Sequence, residues 1–200
     1  MTMKQRLIFI GGASASGKTT LAKKLGKHLG LPWLSVDYIH DMARSIGNKE
    51  DTPEALAIRE ETAEEFYDNR TTADVVQSEI TISHEMWPAI KSLVDAGYEG
   101  VIEGVAVIPE LVHSLETDAE VTTLYITNED AGAILRIAIE RGIWDAAHMY
   151  PDTVKPREVE FALGYNQYLK EEAKKYGYPL VPVKRTDDDL EQVLQVLYSD

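Results

Sequence analysis

Cysteine is absent from the 200 residues, which excludes disulfides, thiolate nucleophiles and Cys-ligated zinc or iron–sulfur centres. Basic side chains are scarce: 20 Lys and Arg against 34 Asp and Glu give a formal net charge of −14. Such a field repels polyanions, which argues against broad, sequence-independent binding to DNA, RNA or anionic membrane but not against a local basic pocket for a small phosphorylated ligand. The five histidines include no HExxH pair. No run approaches the 18 apolar residues of a membrane-crossing helix, and the apolar stretch Leu7–Ile10 is too short for an export signal. What is there is ordinary globular composition, 44% apolar and 27% charged, enough for one domain spanning residues 1–200 with a full core. The expectation is a cytoplasmic protein, monomeric or homodimeric.

Hydrophobic patterning alternates between two kinds of segment. Leu7, Ile8, Phe9 and Ile10 are continuously apolar, as in a central parallel strand covered on both faces, and Gly11 and Gly12 stop the run. Leu21, Leu25 and Leu29 then recur every four residues, a helix from Lys18 to Leu29 closed by Gly30 and Pro32. Trp33–Val36 reads as a second strand, Gly100–Glu103 as a third, Val121–Ile126 as a fourth and Pro179–Val183 as a fifth. Residues 38–97 read as a helical insert, with a solvated acidic stretch between Glu50 and Asp68 and Pro88 placed to kink or divide a helix from Ala73 to Ala96. This insert is expected to behave as a semi-independent flap on the acceptor side. Asn128 is the expected cap of a helix carrying Ile134, Leu135, Ala138 and Ile139. Residues 142–156, with two prolines and mixed polarity, are the lid candidate, followed by helices over Arg157–Tyr176 and Asp187–Tyr198. The alternation predicts a three-layer α/β domain.

Gly12-Ala13-Ser14-Ala15-Ser16-Gly17-Lys18-Thr19 matches GxxxxGK[ST] in full, with a buried strand before it and a helix, opening through Thr20, after it. Glycines let successive N–H groups turn inward as a nest, and the helix adds its positive end. Lys18 is then placed to bridge phosphate oxygens and the Thr19 hydroxyl to ligate Mg²⁺. Neither an NKxD nor a DxxG stands at the position a switch GTPase requires, and no paired Asp-Glu closes a long strand, as in motor or remodelling ATPases. A compact phosphoryl-transfer enzyme fits, since that reaction is mainly positioning and charge compensation.

Asp37 falls at the carboxyl end of the second strand, the ligand-binding edge of an open α/β sheet, where it can orient an acceptor hydroxyl or hold a metal-bound water. Its alternative role is to cap the following helix. Glu103 ends the third strand, and an acid after Val101-Ile102 is costly unless a metal shell or a partner such as Lys18 compensates it. Arg44, seven residues beyond Asp37 on the same helix face, suggests an anionic acceptor, with His40 beside it. Arg136, Arg141 and Arg157 bracket the lid candidate and are the available charge for a triphosphate; each has a surface ion pair as its alternative.

At these residues the chain resembles the small-molecule kinases of the P-loop superfamily, which include nucleoside, nucleotide, shikimate and gluconate kinases. Gly11 through Thr20, Ser35-Val36-Asp37 and Val101-Ile102-Glu103-Gly104-Val105 followed by Pro109 are similar to the 2-phosphoglycerate kinase-like branch, as are Arg157, Phe161 and Asn166-Gln167-Tyr168-Leu169. Ala106 and His40 depart from that branch beside the acceptor. The resemblance implies a five-stranded parallel sheet of order 2-3-1-4-5, ATP as donor, Mg²⁺ and a closing lid. It assigns Lys18 and Thr19 to triphosphate and metal, Asp37 to the acceptor, and Arg136 and Arg141 to charge compensation. The expected activity is phosphoryl transfer to a hydroxyl of a small metabolite. A nucleoside or nucleotide kinase is the alternative, favoured by an aromatic slot near Tyr38, Phe66 and Trp87. A nucleotide-binding regulatory module without turnover is the alternative from another class.

Overall fold

The computed structural model describes residues 4–46, 62–141, 151–184, 186 and 188–198. In chain order these form β1 (Arg6–Gly12), α1 (Lys18–Leu29), β2 (Trp33–Ser35), α2 (Val36–Ile46), α3 (Ala63–Asp68), α4 (Thr72–Asp95), β3 (Gly100–Gly104), α5 (Pro109–His113), β4 (Glu120–Thr127), α6 (Ala131–Arg141), α7 (Lys155–Lys175), β5 (Leu180–Pro182) and α8 (Asp188–Leu197). The sheet runs β2-β3-β1-β4-β5, every neighbouring pair parallel. This is the 2-3-1-4-5 order that the resemblance implies.

Continuous apolarity in β1 has the expected cause: alternate residues feed two cores. Leu7 and Phe9 face one side with Ile102 and Tyr125, under Met86, Trp87 and Ile90 of α4 and Tyr165 and Leu169 of α7. Ile8 and Ile10 face the other with Val101, Leu124 and Ile126, under Leu21 and Leu25 of α1 and Val193 of α8. Each fully buried aliphatic side chain contributes about 1.5–3 kcal/mol. Three layers result, and the carboxyl ends of β2, β3 and β1 lie side by side, with Ser35 beside Glu103 and Glu103 beside Ile10.

Several boundaries differ from expectation for local reasons. β1 continues through Gly11 and Gly12, since parallel pairing with β3 and β4 holds their backbone extended. Val36 starts α2 rather than ending β2, so Asp37 lies in the first turn of a helix. Pro88 does not divide α4, which is continuous over 24 residues. Asp130, not Asn128, caps α6: its carboxylate accepts the Ala133 N–H at 2.9 Å, while Asn128 accepts only that of Asp130. Residues 155 and 156 of the lid candidate belong to α7, and 142–150 lie outside the described residues.

The described part of the insert comprises α3, α4 and most of α2. Capping boxes at Thr62/Glu65 and Thr71/Asp74 start α3 and α4, and both helices pack on α7. Tyr67 and Val75 join Val154 and Phe161 in one buried cluster, with the Tyr67 ring stacked on Phe161 at 5.2 Å. Thr72 donates to Glu160 at 3.1 Å. At Gly164 the α4–α7 approach is so close that a Cβ would lie 2.1 Å from Thr72 Cγ2. No described helix is long and apolar enough to cross a membrane.

Candidate functional site

The loop between β1 and α1 is built by three backbone features. Gly17 precedes the helix at φ 98, a left-handed conformation natural to glycine. Ala15 holds φ 60, alone among the described non-glycine residues in taking positive φ. Its methyl is buried against Ile134 and Ile137 of α6 and Val159 and Ala162 of α7, which keeps it there. Ser16 closes the turn by donating its N–H to the Ala13 carbonyl at 3.2 Å. The Ser16 hydroxyl is buried with no hydrogen-bond partner.

Around this loop the fold gathers four side chains that the sequence singled out. Lys18 is 6% exposed, and its Nζ lies 3.9 Å from Asp37 Oδ2. The Thr19 hydroxyl donates to Glu103 Oε2 at 3.2 Å. Glu103 is fully buried and its Oε1 has no partner. Burial pushes its carboxyl above the ordinary range and neighbouring Asp37 adds to this, while Lys18 and the Ser35 and Thr19 hydroxyls pull the other way. Asp37 does cap in a sense, but across the site: its Oδ1 accepts the Val105 N–H at 3.3 Å. Gly104 permits that approach, because a Cβ there would lie 2.8 Å from Val36 Cβ. Among the described residues no group of three or more His, Asp or Glu is placed to hold a metal alone. Thr19, Glu103 and Asp37 do present the oxygen ligands that a hard divalent cation shares with phosphates.

The remaining candidates fall elsewhere or outside the described atoms. Arg136 is exposed, its guanidinium folded back beside Gly132. The side chains of Arg44 and Arg141 are outside the described residues; His40 is half-buried on α2. Arg157 is spent on the insert: Nη2 donates to the Tyr67 and Arg70 carbonyls at 3.2 and 3.1 Å, and Nε lies 3.6 Å from Glu160 Oε2. Tyr38, Phe66 and Trp87 form no common slot. Tyr38 meets Trp33, Phe66 meets Tyr67, and Trp87 is buried against Phe9.

Sequence reasoning missed the inner face of α7. Lys155 and Glu158 are each 1% exposed, and Lys155 Nζ lies 3.4 Å from Glu158 Oε1. Tyr165 donates to the Val105 carbonyl at 3.0 Å, so Val105 is held by Asp37 through its N–H and by Tyr165 through its C=O. The signal was present: residues 155, 158, 162, 165 and 169 follow helical spacing, which places a lysine and a glutamate on the buried stripe.

The model of the cytidylate kinase-like family matches residues 7–106, half of the chain. No curated protein matches the sequence significantly. Among solved structures, a shikimate kinase from Acinetobacter baumannii in complex with shikimate is similar with a TM-score of 0.56 at 13% identity, over 96% of this chain and 93% of that one. A putative kinase from Chloroflexus aurantiacus gives 0.55 at 20% identity, over 98% and 97%. A gluconokinase from Sinorhizobium meliloti gives 0.54 at 15%, over 96% and 91%. At such identities the likeness is one of fold, and it extends over more than nine-tenths of each chain.

Proposed function

We propose that this chain, which belongs to the cytidylate kinase-like family, is an ATP- and Mg²⁺-dependent kinase that phosphorylates a hydroxyl of a small metabolite. The observation that carries this reading is the convergence of Lys18, Thr19, Asp37 and Glu103 on the mouth of the phosphate loop, with Thr19 bonded to Glu103 and Lys18 beside Asp37. The unpartnered Ser16 hydroxyl and Glu103 Oε1 fit a site completed by a nucleotide and a cation. Loop amides from Ala13 to Thr20 would hold the donor phosphates, and Thr19, Glu103 and Asp37 would hold Mg²⁺, directly or through water. Bound there, the ion and ATP supply charge neutralisation and the transferable phosphoryl group.

The chain's own residues do the positioning. Lys18, buried on the first turn of α1, balances charge on the phosphate oxygens. Asp37, half-exposed, accepts the hydrogen bond of the incoming hydroxyl and orients its oxygen toward the donor phosphorus. Arg136, and Arg141 at the end of α6, are the further cations available when the site closes. Arg157 is assigned to holding the insert, not to nucleotide.

Purified protein with Mg-ATP and an acceptor panel should release ADP only when an acceptor is present, and Lys18→Ala should abolish the release. Tight nucleotide binding with no turnover on any acceptor would instead favour a regulatory module. The family match favours one second reading, a nucleoside or nucleoside monophosphate as acceptor, tested by including cytidine and its monophosphate in the panel.

A further inference from the structure

We infer that Tyr165 is a positioning residue for the reaction: acting through Val105, it fixes the orientation of the Asp37 carboxylate that meets the acceptor hydroxyl. The inference rests on the kinase reading and adds to it a residue of α7, outside the phosphate loop and the strand ends. Asp37 is weakly held. Its side chain is half-exposed, and Oδ2 lies 3.9 Å from Lys18 Nζ, too long for a hydrogen bond. An ion pair at that distance attracts the carboxylate without fixing its rotation about the Cβ–Cγ axis. The bond that Oδ1 accepts from the Val105 N–H at 3.3 Å does fix it. That bond is already long, so a drift of the amide by a few tenths of an ångström would break it.

Whatever steadies that amide therefore sets where the carboxylate points. Val105 lies one residue past β3, whose pairing with β1 ends at Gly104. Within the turn that follows, Val107 donates its N–H to the Gly104 carbonyl at 3.4 Å, a weak closure. From outside the turn, the Tyr165 hydroxyl donates to the Val105 carbonyl at 3.0 Å. This donor is itself well anchored. Tyr165 is 3% exposed, its ring stacks on Tyr168 at 5.6 Å, and it shares a core with Phe9, Trp87 and Ile102. Burial first, and Glu79 second, hold its phenol well above the ordinary range, so it remains a protonated donor throughout the working pH range. A phenylalanine would fill the same core. The hydroxyl serves the turn beside Asp37.

The test is a double-mutant cycle between Tyr165→Phe and Asp37→Ala, run with Mg-ATP and a panel of glycerol, glucose, gluconate, shikimate, cytidine and cytidine monophosphate. On the acceptor that the parent turns over fastest, Tyr165→Phe should lower kcat by about ten- to a hundredfold, as misplacing a reacting group does. The Kd for Mg-ATP should stay within about twofold. In the Asp37→Ala background the same change should cost less than about twofold, because the residue through which it acts is gone. A second measurement needs no turnover: in nucleotide-free protein the Val105 amide should exchange with solvent at least about tenfold faster in either single variant than in the parent, with Ile102 unchanged. Equal losses of kcat in both backgrounds, no loss in either, or an unmoved Val105 exchange rate overturns the inference and leaves the kinase reading standing. A Tyr165→Phe chain that fails to fold with its ring retained overturns it too, since the hydroxyl would then serve the fold. A parent that turns over no acceptor strikes the kinase reading itself.

Discussion

Replacing Glu103 by Gln separates the fold's requirements from those of the reaction. The side chain is fully buried at the end of β3, one oxygen accepts from Thr19 at 3.2 Å, and the other has no partner. Leaving a buried acceptor unmet costs about 1–3 kcal/mol, and more when it is charged. Gln keeps an oxygen for Thr19 and exchanges the unmet charged acceptor for a neutral amide N–H₂, which costs less to bury. The nucleotide-free variant should therefore be more stable than the parent by about 1–3 kcal/mol, a rise in Tm of roughly 2–12 °C for a chain of this size. With Mg-ATP the order should narrow or invert. A ligand at a hundred times its Kd stabilises by about 2.7 kcal/mol, and the parent should gain this while the variant, lacking a carboxylate for the cation, gains less. Thermal unfolding with and without Mg-ATP, alongside ADP release, reads both effects. A nucleotide-free variant less stable than the parent by more than about 1 kcal/mol would refute the reasoning, since Glu103 would then be a structural counter-ion of Lys18.

Arg157→Ala should lose about 2 kcal/mol through its two carbonyl bonds, lowering Tm by roughly 4–8 °C, with the Kd for an ATP analogue within about twofold; a large loss of nucleotide affinity at unchanged Tm would return Arg157 to the triphosphate. Gly164→Ala forces a methyl onto Thr72 Cγ2 and should cost about 1–3 kcal/mol in denaturant unfolding. Adding Thr72→Ser, which deletes that methyl and keeps the hydroxyl bond to Glu160, should recover most of the loss. Burial raises the carboxyls of Glu103 and Glu158, so just above the ordinary carboxylate range the folded chain binds more protons than the unfolded one. Their contribution is then fully present at low pH and declines as pH rises through that range. In Glu158→Gln the decline of Tm with pH should be shallower, and an unchanged slope would show that this carboxyl is ionised throughout.

The sheet and loop were legible because their signals are local. Four continuously apolar residues before a glycine-rich turn fit a covered parallel strand, and the Lys18–Leu29 periodicity fits the helix that follows. Asp37 and Glu103 were legible because acids at strand ends of this fold converge on one edge. Arg157 was not, since its partners are main-chain carbonyls about 90 positions away, and no sequence pattern encodes which carbonyls a guanidinium meets. The attachment of the insert to α7 was not legible for a related reason: it depends on a few distant contacts, Tyr67 on Phe161 and Thr72 on Gly164. Lys155 and Glu158 were passed over because a charged residue's identity outweighed its place in the helical period.

The left-handed backbone of Ala15 costs on the order of 1–2 kcal/mol, and four aliphatic side chains from two helices hold it in that shape. Folding itself therefore casts the mould that the proposed function assigns to an anion. An incoming nucleotide has little chain entropy to overcome, so phosphate capture should be fast and nearly free of induced change. Conversely, whatever loosens α6 from α7 would slacken the mould from behind, far from any atom the nucleotide touches.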